Sequence, residues 1–220
     1  MNKRAGVIGS GIVGETLANG LLDSGYEVCR GSRDPEQLAV WLAEAGEGAS
    51  VGTQQDAACF GDLVVLAVRG AVAEDVVSEY ADELSGSVVI DATNPIGGAR
   101  PQDGSEPKDG VLSFFTGPNE SLMERLQAAA PDARFVKAFN SVGAAFMVNP
   151  QFDEAPTMFI CGDDTDAKSV VGDLLDDWGW DVADMGTATA ARAIEPLCIL
   201  WCIPGLRDNE WTHAFRLLRL

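Results

Sequence analysis

Three glycines near the amino terminus have the spacing of a phosphate-binding turn. The apolar residues 5–8 lead directly into the GxGxxG pattern formed by Gly9, Ser10, Gly11, Ile12, Val13 and Gly14. In a strand–turn–helix of this kind, the first glycine permits a tight turn and the second lets the backbone approach a pyrophosphate. The third lets the helix pack closely on the strand. The sequence therefore predicts a dinucleotide site at a helix N-terminus, where free N–H groups meet the phosphates.

The end of the next predicted strand indicates which dinucleotide is bound. About 20 residues after the glycines, NAD-binding chains carry an acid for the ribose hydroxyls. This chain has Ser32 and Arg33 there. A carboxylate would repel the 2′-phosphate of NADP, whereas a hydroxyl and a guanidinium would bind it. We therefore predict NADP(H), with Arg30 as a lesser phosphate candidate. Asp34 and Pro35 are also typical of the N-cap and first residue of a helix. A helix start at Asp34 and a phosphate site at Ser32 and Arg33 can both hold.

Composition and charge narrow the class of protein. The chain has 34 acidic and 15 basic residues and a formal net charge of −19, which makes nucleic acid and anionic membranes poor partners. No apolar stretch predicts a membrane span, and the first strand begins too early for a signal peptide. Five cysteines in mostly apolar runs and a single histidine favour reduced thiols in a cytoplasmic protein over disulfides or a metal site.

Strand-like and helix-like segments alternate along most of the chain, which is typical of βαβ units and a parallel sheet. Buried strands are predicted at residues 62–68, 87–91, 134–137 and 157–161, with a last strand at 181–185. From residue 190 onward we predict helix, broken at Pro196 and near Pro204. Residues 97–110, rich in Gly, Pro and charge, are predicted to be a mobile loop.

This pattern predicts an α/β fold, a Rossmann-type doubly wound parallel sheet with a small helical C-terminal portion. We expect residues 1–150 to form an NADP-binding domain. Residues 151–220 would form the small C-terminal portion and a subunit interface.

Ligands of such sheets bind beyond the carboxyl ends of the strands. That rule adds Val68, Arg69, Asn94 and Pro95 to the predicted cofactor site, with the Asn-Pro pair toward the nicotinamide. Asn140 follows the next strand and is a candidate for the same edge. Asn94 alternatively forms a simple turn, and Asn140 or Ser141 alternatively caps a helix over residues 142–148.

The assembled motifs resemble the NADPH-dependent coenzyme F420 reductase family. The segments that carry the resemblance are GVIGSGIVG, GSRDP, DATNP, VKAFNSVG, PTMFICGDD and ARAIEPL, spread over residues 4–218. The resemblance implies hydride transfer between NADP(H) and a deazaflavin, with coenzyme F420 or a flavin as second substrate. It implies that residues 9–13 meet the pyrophosphate and that Ser32 and Arg33 meet the 2′-phosphate. The acceptor would then lie near Asn94, Asn140, Glu195, Pro196 and Leu197, in a pocket that residues 151–220 complete.

The chain departs from that family where the acceptor would bind. Characterised deazaflavin reductases have Pro in place of Arg69 and a His-Thr pair near Asn140 and Ser141. The runs LWCIPG and WTH near the C-terminus resemble a broader group of dinucleotide-binding proteins. His213, the only histidine, is a candidate proton donor, although its aromatic flanks equally favour a core position.

Three functions remain open from the sequence. The first is hydride transfer between NADPH and a deazaflavin or flavin-like ring, which needs positioning and water exclusion but no nucleophile. The second is reduction of a small carbonyl or imine, and the third is a non-catalytic NADP(H)-sensing module. We expect a small-molecule redox acceptor as the partner and a homodimer or higher homo-oligomer as the assembly.

Overall fold

Six parallel strands form the central sheet of the computed structural model, which describes residues 3–97 and 107–219. Along the chain they are β1 (Lys3–Ile8), β2 (Tyr26–Gly31), β3 (Ala49–Gly52), β4 (Leu63–Leu66), β5 (Val88–Asp91) and β6 (Arg134–Lys137). Their order across the sheet is β3-β2-β1-β4-β5-β6, so the direction of winding reverses between β1 and β4. This is the order of a doubly wound dinucleotide fold, and the predicted fold class is confirmed.

Helices cover both faces of this sheet. They are α1 (Ile12–Asp23), α2 (Ala39–Ala45), α3 (Gln54–Ala58), α4 (Gly70–Glu79), α5 (Leu122–Ala129), α6 (Thr165–Asp177), α7 (Ala191–Ile194) and α8 (Leu197–Asp208). Short 3-10 turns lie at Pro35–Leu38, Lys108–Gly110, Ala144–Phe146 and Ala188–Ala190. Because both faces are covered, β4 is buried at every residue and reads as the continuous apolar run Leu-Val-Val-Leu. Most of the predicted mobile loop, residues 98–106, lies outside the described residues.

The residues beyond 150 complete one face of the sheet. One buried apolar cluster joins Leu17 of α1 and Val65 of β4 to Trp178 and Trp180. The indole N–H of Trp178 donates to Ser24 Oγ at 2.8 Å, and that of Trp180 donates to the Met147 carbonyl at 2.9 Å. The C-terminal portion therefore shares the core of the preceding residues.

A second, two-stranded parallel sheet joins β7 (Thr157–Ile160) to β8 (Asp181–Asp184). An antiparallel bridge between Lys137 and Cys161 links it to the edge of the main sheet at β6. The predicted last strand at residues 181–185 is thus confirmed, with β7 as its partner.

The C-terminal portion is helical only as far as Asp208. Asn209 adopts a left-handed conformation with φ 56°, which ends α8, and the prediction of helix beyond it is wrong. The following residues run back along the start of β7, where the Thr157 N–H donates to the Phe215 carbonyl at 2.8 Å. Leu217 N–H donates to Thr157 Oγ1 at 3.0 Å, so tertiary hydrogen bonds replace helical ones. Pro204, predicted to break the helix, is accommodated inside α8.

One segment of the described chain, Ala188–Asp208, is long and apolar enough to cross a membrane by length and composition alone. The expectation that no stretch would reach this length was wrong on that criterion. The segment is divided among a 3-10 turn, α7 and α8, and its residues Ile194, Glu195 and Trp201 are buried. In the structure, 33% of the most apolar 18-residue window of this segment is buried.

A buried ionic network fastens this C-terminal portion to the sheet. Lys137 Nζ, at the end of β6, lies 2.7 Å from Asp91 Oδ2 and 3.1 Å from Glu195 Oε1, and it donates to the Thr93 carbonyl at 3.0 Å. The Lys137 and Asp91 side chains have no exposed area. The two Glu195 oxygens also accept the first two N–H groups of α5, each at 3.0 Å. One carboxylate therefore connects β6, α5 and the segment between α7 and α8.

Removing the cation from this network should destabilise the fold strongly. We expect Lys137→Met to lower the free energy of unfolding by about 3–5 kcal/mol, because it leaves two buried carboxylates without a cation. The matched change Lys168→Met removes a cation 2.9 Å from the half-exposed Asp184 and should cost at most about 1 kcal/mol. Urea unfolding measures both, and equal losses would contradict a central role for the buried network.

The same comparison has a predictable pH dependence. Burial alone would lower the pKa of Lys137, but the carboxylates of Asp91 and Glu195 reverse this and raise its pKa from 10.5. A group whose pKa is raised by folding stabilises the fold below its unfolded pKa and loses that contribution as the pH rises through its folded pKa. The stability difference between wild type and Lys137→Met should therefore narrow above pH 10.5.

Candidate dinucleotide site

The three glycines of the turn are required for three different geometric reasons. Gly9 has φ 152°, and a Cβ there would collide with the Ala67 carbonyl. A Cβ on Gly14 would lie 2.7 Å from the Gly9 carbonyl, so this residue sets how closely α1 packs on the turn. A Cβ on Gly11 would meet nothing within 4 Å. The space in front of Gly11 is therefore open, at the position where the motif predicts a pyrophosphate.

The N-terminus of α1 is open as well. Gly11 is the N-cap, and no side chain accepts a hydrogen bond from the first turn. The first N–H groups of a helix have no acceptor within the helix, and together they carry a partial positive charge. By contrast, α5 begins with a capping box formed by Ser121 and Glu124, in addition to the Glu195 carboxylate. The fold thus satisfies the buried helix N-terminus internally and leaves the one at the glycine turn free for an anion.

A cleft of about 600 Å³ extends from this turn along the carboxyl edge of the sheet. Its walls come from the glycine turn, the end of β2, the start of α3, the loop after β4 and one face of α4. The lining residues are Ser10, Gly11, Gly31, Ser32, Arg33, Asp34, Gln37, Gln54, Ala67, Val68, Arg69, Val72, Asp75, Val76 and Glu79. Sequence-predicted residues from three separate strand ends, among them Ser32, Arg33 and Arg69, therefore meet in a single cleft.

Ser32 and Arg33 have free hydrogen-bonding capacity toward this cleft. Ser32 Oγ accepts the Asp34 N–H at 3.2 Å, which leaves the hydroxyl proton available to a ligand. In the described part of the chain, Arg33 is exposed and makes no hydrogen bond or ion pair. Asp34 caps the 3-10 turn by accepting from Glu36 N–H at 3.3 Å, so the capping interpretation and an open Ser-Arg corner coexist.

The assignment of Arg30 as a lesser ligand of the 2′-phosphate is wrong. Its side chain has no exposed area, and its guanidinium donates to the Gly11 carbonyl at 3.3 Å and to Glu15 at 3.4 Å. Arg30 therefore lies behind the glycine turn and does not line the cleft that contains Arg33.

Two asparagines meet at the far end of the carboxyl edge. Asn94 Nδ2 donates to the Asn140 carbonyl at 2.8 Å, and Asn140 Nδ2 donates to the Ile194 carbonyl at 3.0 Å. Asn140 Oδ1 is buried without a hydrogen-bond partner. Neither residue lines the 600 Å³ cleft, and Pro95 is buried beside them. The alternative in which Asn140 or Ser141 caps a helix over residues 142–148 is wrong. The Asn140 amide binds the end of α7, and only the 3-10 turn Ala144–Phe146 forms there, with Gly143 as its N-cap.

Glu195 is not free to contact an acceptor. Its side chain is 2% exposed, and both carboxylate oxygens are committed to Lys137 and to the N–H groups of α5. The contacts of this carboxylate all lie inside the fold, and its expected role at the acceptor stays a prediction. Pro196 is exposed and Leu197 is half-buried at the start of α8, so these two remain available at the surface.

His213 is packed on an aromatic ring. Its imidazole stacks on Trp201 with ring centroids 5.1 Å apart, and Nε2 hydrogen-bonds to the Trp201 carbonyl at 2.9 Å. It does not line the cleft, which agrees with the core interpretation of its aromatic flanks. Within residues 3–97 and 107–219, no group of three or more His, Cys, Asp or Glu side chains is arranged to hold a metal ion.

Sequence reasoning missed part of the cleft wall. Gln54 is nearly buried at the start of α3, and Val72 and Val76 face the cleft from α4. The i, i+4 spacing of the two valines identifies one face of α4, but it does not tell a core face from a ligand face. Gln54 carries no sequence signal, because its position depends on the packing of α3 against β1 and β2.

Apolar side chains are exposed next to Asn94. The chain after Pro95 pairs with residues 113–115, where Gly97 N–H donates to the Ser113 carbonyl at 2.7 Å and Phe115 N–H donates to the Pro95 carbonyl at 2.9 Å. Ile96 and Phe115 on this short ribbon are 40% and 39% exposed. These residues were also not predicted, because the ribbon pairs segments that the sequence reads as loop.

Comparisons with known proteins agree with this geometry. The family model described as NADP oxidoreductase, coenzyme F420-dependent, matches residues 4–95. A crystal structure of a candidate F420-dependent NADP reductase from Arthrobacter sp. FB24 is similar over 99% of both chains, with 31% identity and a TM-score of 0.87.

Two curated relatives share part of their length with this chain. The F420-dependent NADP reductase of Methanocaldococcus jannaschii is 27% identical over 144 residues, 65% of this chain and 61% of that protein. Metalloreductase STEAP3 of Rattus norvegicus is 31% identical over 208 residues, 92% of this chain. The chain spans only 38% of the length of that metalloreductase.

The open space at Gly11 gives a direct test of the site. Gly11→Ala should leave the fold stable, because its Cβ meets no protein atom, and should weaken NADPH binding about 100-fold, or roughly 2.8 kcal/mol. The matched control is Gly172→Ala on α6, where a Cβ also meets nothing within 4 Å. Titration calorimetry measures the affinities and thermal unfolding checks the fold. Unchanged NADPH binding by Gly11→Ala would contradict the proposed pyrophosphate position.

Proposed function

Because this chain belongs to the family of coenzyme F420-dependent NADP oxidoreductases, we propose that it transfers hydride between NADP(H) and a deazaflavin or flavin-like ring. One observation carries the proposal: an uncapped helix N-terminus, open space at Gly11 and the Ser32–Arg33 corner all face one cleft. Together they fit the pyrophosphate and the phosphorylated ribose of a single NADP molecule.

The cofactor would be held mainly through its phosphates. The N–H groups of the first turn of α1 would bind the pyrophosphate, with Ser10 beside them. Ser32 would donate its hydroxyl proton to the 2′-phosphate, and Arg33 would offer its planar guanidinium. Arg69 lines the same cleft and is exposed, and its side chain makes no hydrogen bond or ion pair with the described residues. Val72 and Val76 would supply an apolar wall for the adenine.

The reacting ends would meet near Asn94 and Asn140. Bound NADP(H) supplies or accepts the hydride at its nicotinamide ring, so the protein has to position two rings and exclude water. The side-chain oxygen of Asn140 lacks a partner and suits an amide N–H of the cofactor. Ile96 and Phe115 would offer apolar contact to a flat acceptor ring, and Pro196 and Leu197 lie at the start of α8.

The acceptor class is supported by relatives rather than by the cleft itself. The Methanocaldococcus jannaschii relative is named for F420, and the Rattus norvegicus relative is named for metal reduction. A deazaflavin is a two-electron acceptor and takes a hydride from NADPH in a single step. We therefore place the deazaflavin first and a flavin second.

Cofactor preference is testable at Arg33. Arg33→Glu should weaken NADPH binding about 100-fold, or roughly 2.8 kcal/mol, because a carboxylate would face the 2′-phosphate. NADH lacks that phosphate, so its affinity should change less than about threefold. The control Arg207→Glu makes the same charge change on an exposed residue of α8, outside the cleft. Equal losses for NADPH and NADH would refute the assignment of Arg33.

The acceptor is tested by following nicotinamide absorbance with a panel of oxidants. We expect NADPH to be oxidised when coenzyme F420 is added, and the control Gly11→Ala to need about 100-fold more NADPH for the same rate. Turnover with FMN alone would move the assignment to a flavin. Turnover only with a cyclic imine or a small ketone would contradict ring-to-ring transfer and support a carbonyl or imine reductase. Tight NADPH binding without turnover on any acceptor would support the sensing module.

A further inference from the structure

A fully buried arginine lies behind the glycine turn. Arg30 sits on β2 opposite Val7 of β1, and its side chain has no exposed area. Nη2 donates to the Gly11 carbonyl at 3.3 Å, and Nη1 donates to Glu15 Oε2 at 3.4 Å. The cation therefore touches the N-cap and the first turn of the helix that faces the cleft.

A tryptophan holds this guanidinium in place. The Arg30 guanidinium carbon lies 4.7 Å from the centroid of the Trp41 ring, within the range of a cation–π contact. The Trp41 indole N–H donates to Asn19 Oδ1 at 2.7 Å, which fixes the ring between α2 and α1. Arg30 consequently has a defined position against the back of the turn.

The positive charge of Arg30 is only partly compensated by the protein. Its Nε is buried and has no hydrogen-bond partner. Its two hydrogen bonds are longer than the roughly 2.7–2.9 Å typical of charge-assisted pairs. Burial is the main cause that lowers the pKa of Arg30, and the nearby Glu15 carboxylate opposes it. A buried cation with incomplete partners is costly unless further negative charge comes close.

We propose that Arg30 is a positioning residue for the cofactor pyrophosphate. The inference rests on the proposed function, since it assumes that NADP(H) binds in the cleft. By holding the Gly11 carbonyl inward, Arg30 keeps the N–H groups of the first turn of α1 directed to the open side. Its buried charge is weakly screened, so it attracts the pyrophosphate through the turn without contacting it.

This role differs from that of Arg33. Arg33 is exposed in the cleft and would recognise the 2′-phosphate, whereas Arg30 acts only at the pyrophosphate. A ligand that has the 2′-phosphate but lacks the pyrophosphate should therefore depend on Arg33 and not on Arg30. Adenosine 2′-monophosphate is such a ligand.

The experiment compares two ligands on one variant. Arg30→Met keeps most of the side-chain volume and removes the charge. We expect it to bind NADPH about tenfold more weakly than wild type and to bind adenosine 2′-monophosphate within about twofold. Arg30→Lys restores a cation and should recover part of the NADPH affinity. Titration calorimetry gives the affinities, and thermal unfolding verifies the folded state.

A second variant keeps the test decisive if Arg30→Met does not fold. Glu15 is 44% exposed, and Glu15→Gln removes the counter-charge while leaving Arg30 in place. It should bind NADPH about threefold more tightly, with adenosine 2′-monophosphate unchanged. Unchanged NADPH affinity in this variant would overturn the proposal.

The possible failures can be told apart. If wild type does not bind NADPH, the proposed function fails. If wild type binds NADPH and Arg30→Met binds it equally well, only the role of Arg30 fails. If a folded Arg30→Met loses both ligands to the same extent, Arg30 merely supports the architecture and the positioning role is overturned.

Discussion

The ionic network of Asp91, Lys137 and Glu195 is the constraint on which the site depends. Its members come from the carboxyl ends of β5 and β6 and from the helical C-terminal segment, and all three side chains are buried. Two buried carboxylates facing one ammonium would leave an excess negative charge, and the N–H groups at the start of α5 offset it. Lys137 Nζ also donates a hydrogen bond to the Thr93 carbonyl at 3.0 Å, and Thr93 immediately precedes Asn94. Through Lys137, the network therefore ties the backbone just before Asn94 to the side-chain carboxylate of Glu195, in the segment between α7 and α8.

The N-termini of α1 and α5 differ in whether side chains accept hydrogen bonds from their first turns. At α5, the N–H groups of the first turn have side-chain acceptors. Ser121 and Glu124 form a capping box, and the Glu195 carboxylate accepts further N–H groups. At α1 the N-cap is Gly11, which has no side chain to offer. An uncapped helix end costs stability unless water or a ligand supplies acceptors. Of these two helices, only α1 has an uncapped first turn, and that turn adjoins the cleft in which we propose an anion binds.

The sequence predicts what local chemistry determines. GxGxxG, the buried runs of β4 and β5 and the Ser-Arg pair after β2 depend on short stretches. The structure forms the turn and both strands, and Ser32 and Arg33 line the cleft. Glu195 shows why the acceptor side was harder to predict. Its partners, Lys137 and the start of α5, lie 58 and more than 70 residues away in sequence. A carboxylate in a turn reads as exposed until those contacts are known. The prediction of helix after Asn209 was wrong for the same reason: that segment makes its hydrogen bonds to Thr157, which is distant in sequence.

Net charge makes the local arrangement of cations decisive. With a formal charge of −19, the protein as a whole repels a polyanionic dinucleotide. Such long-range repulsion between exposed charges fades beyond about 8 Å at physiological ionic strength. Attraction therefore has to come from groups that act at contact or from within the low-dielectric interior. In the proposed mode of binding, the helix N-terminus and Arg33 would meet the first requirement, and the buried Arg30 would meet the second. An acidic surface and a site for an anionic cofactor are compatible because they act over different distances.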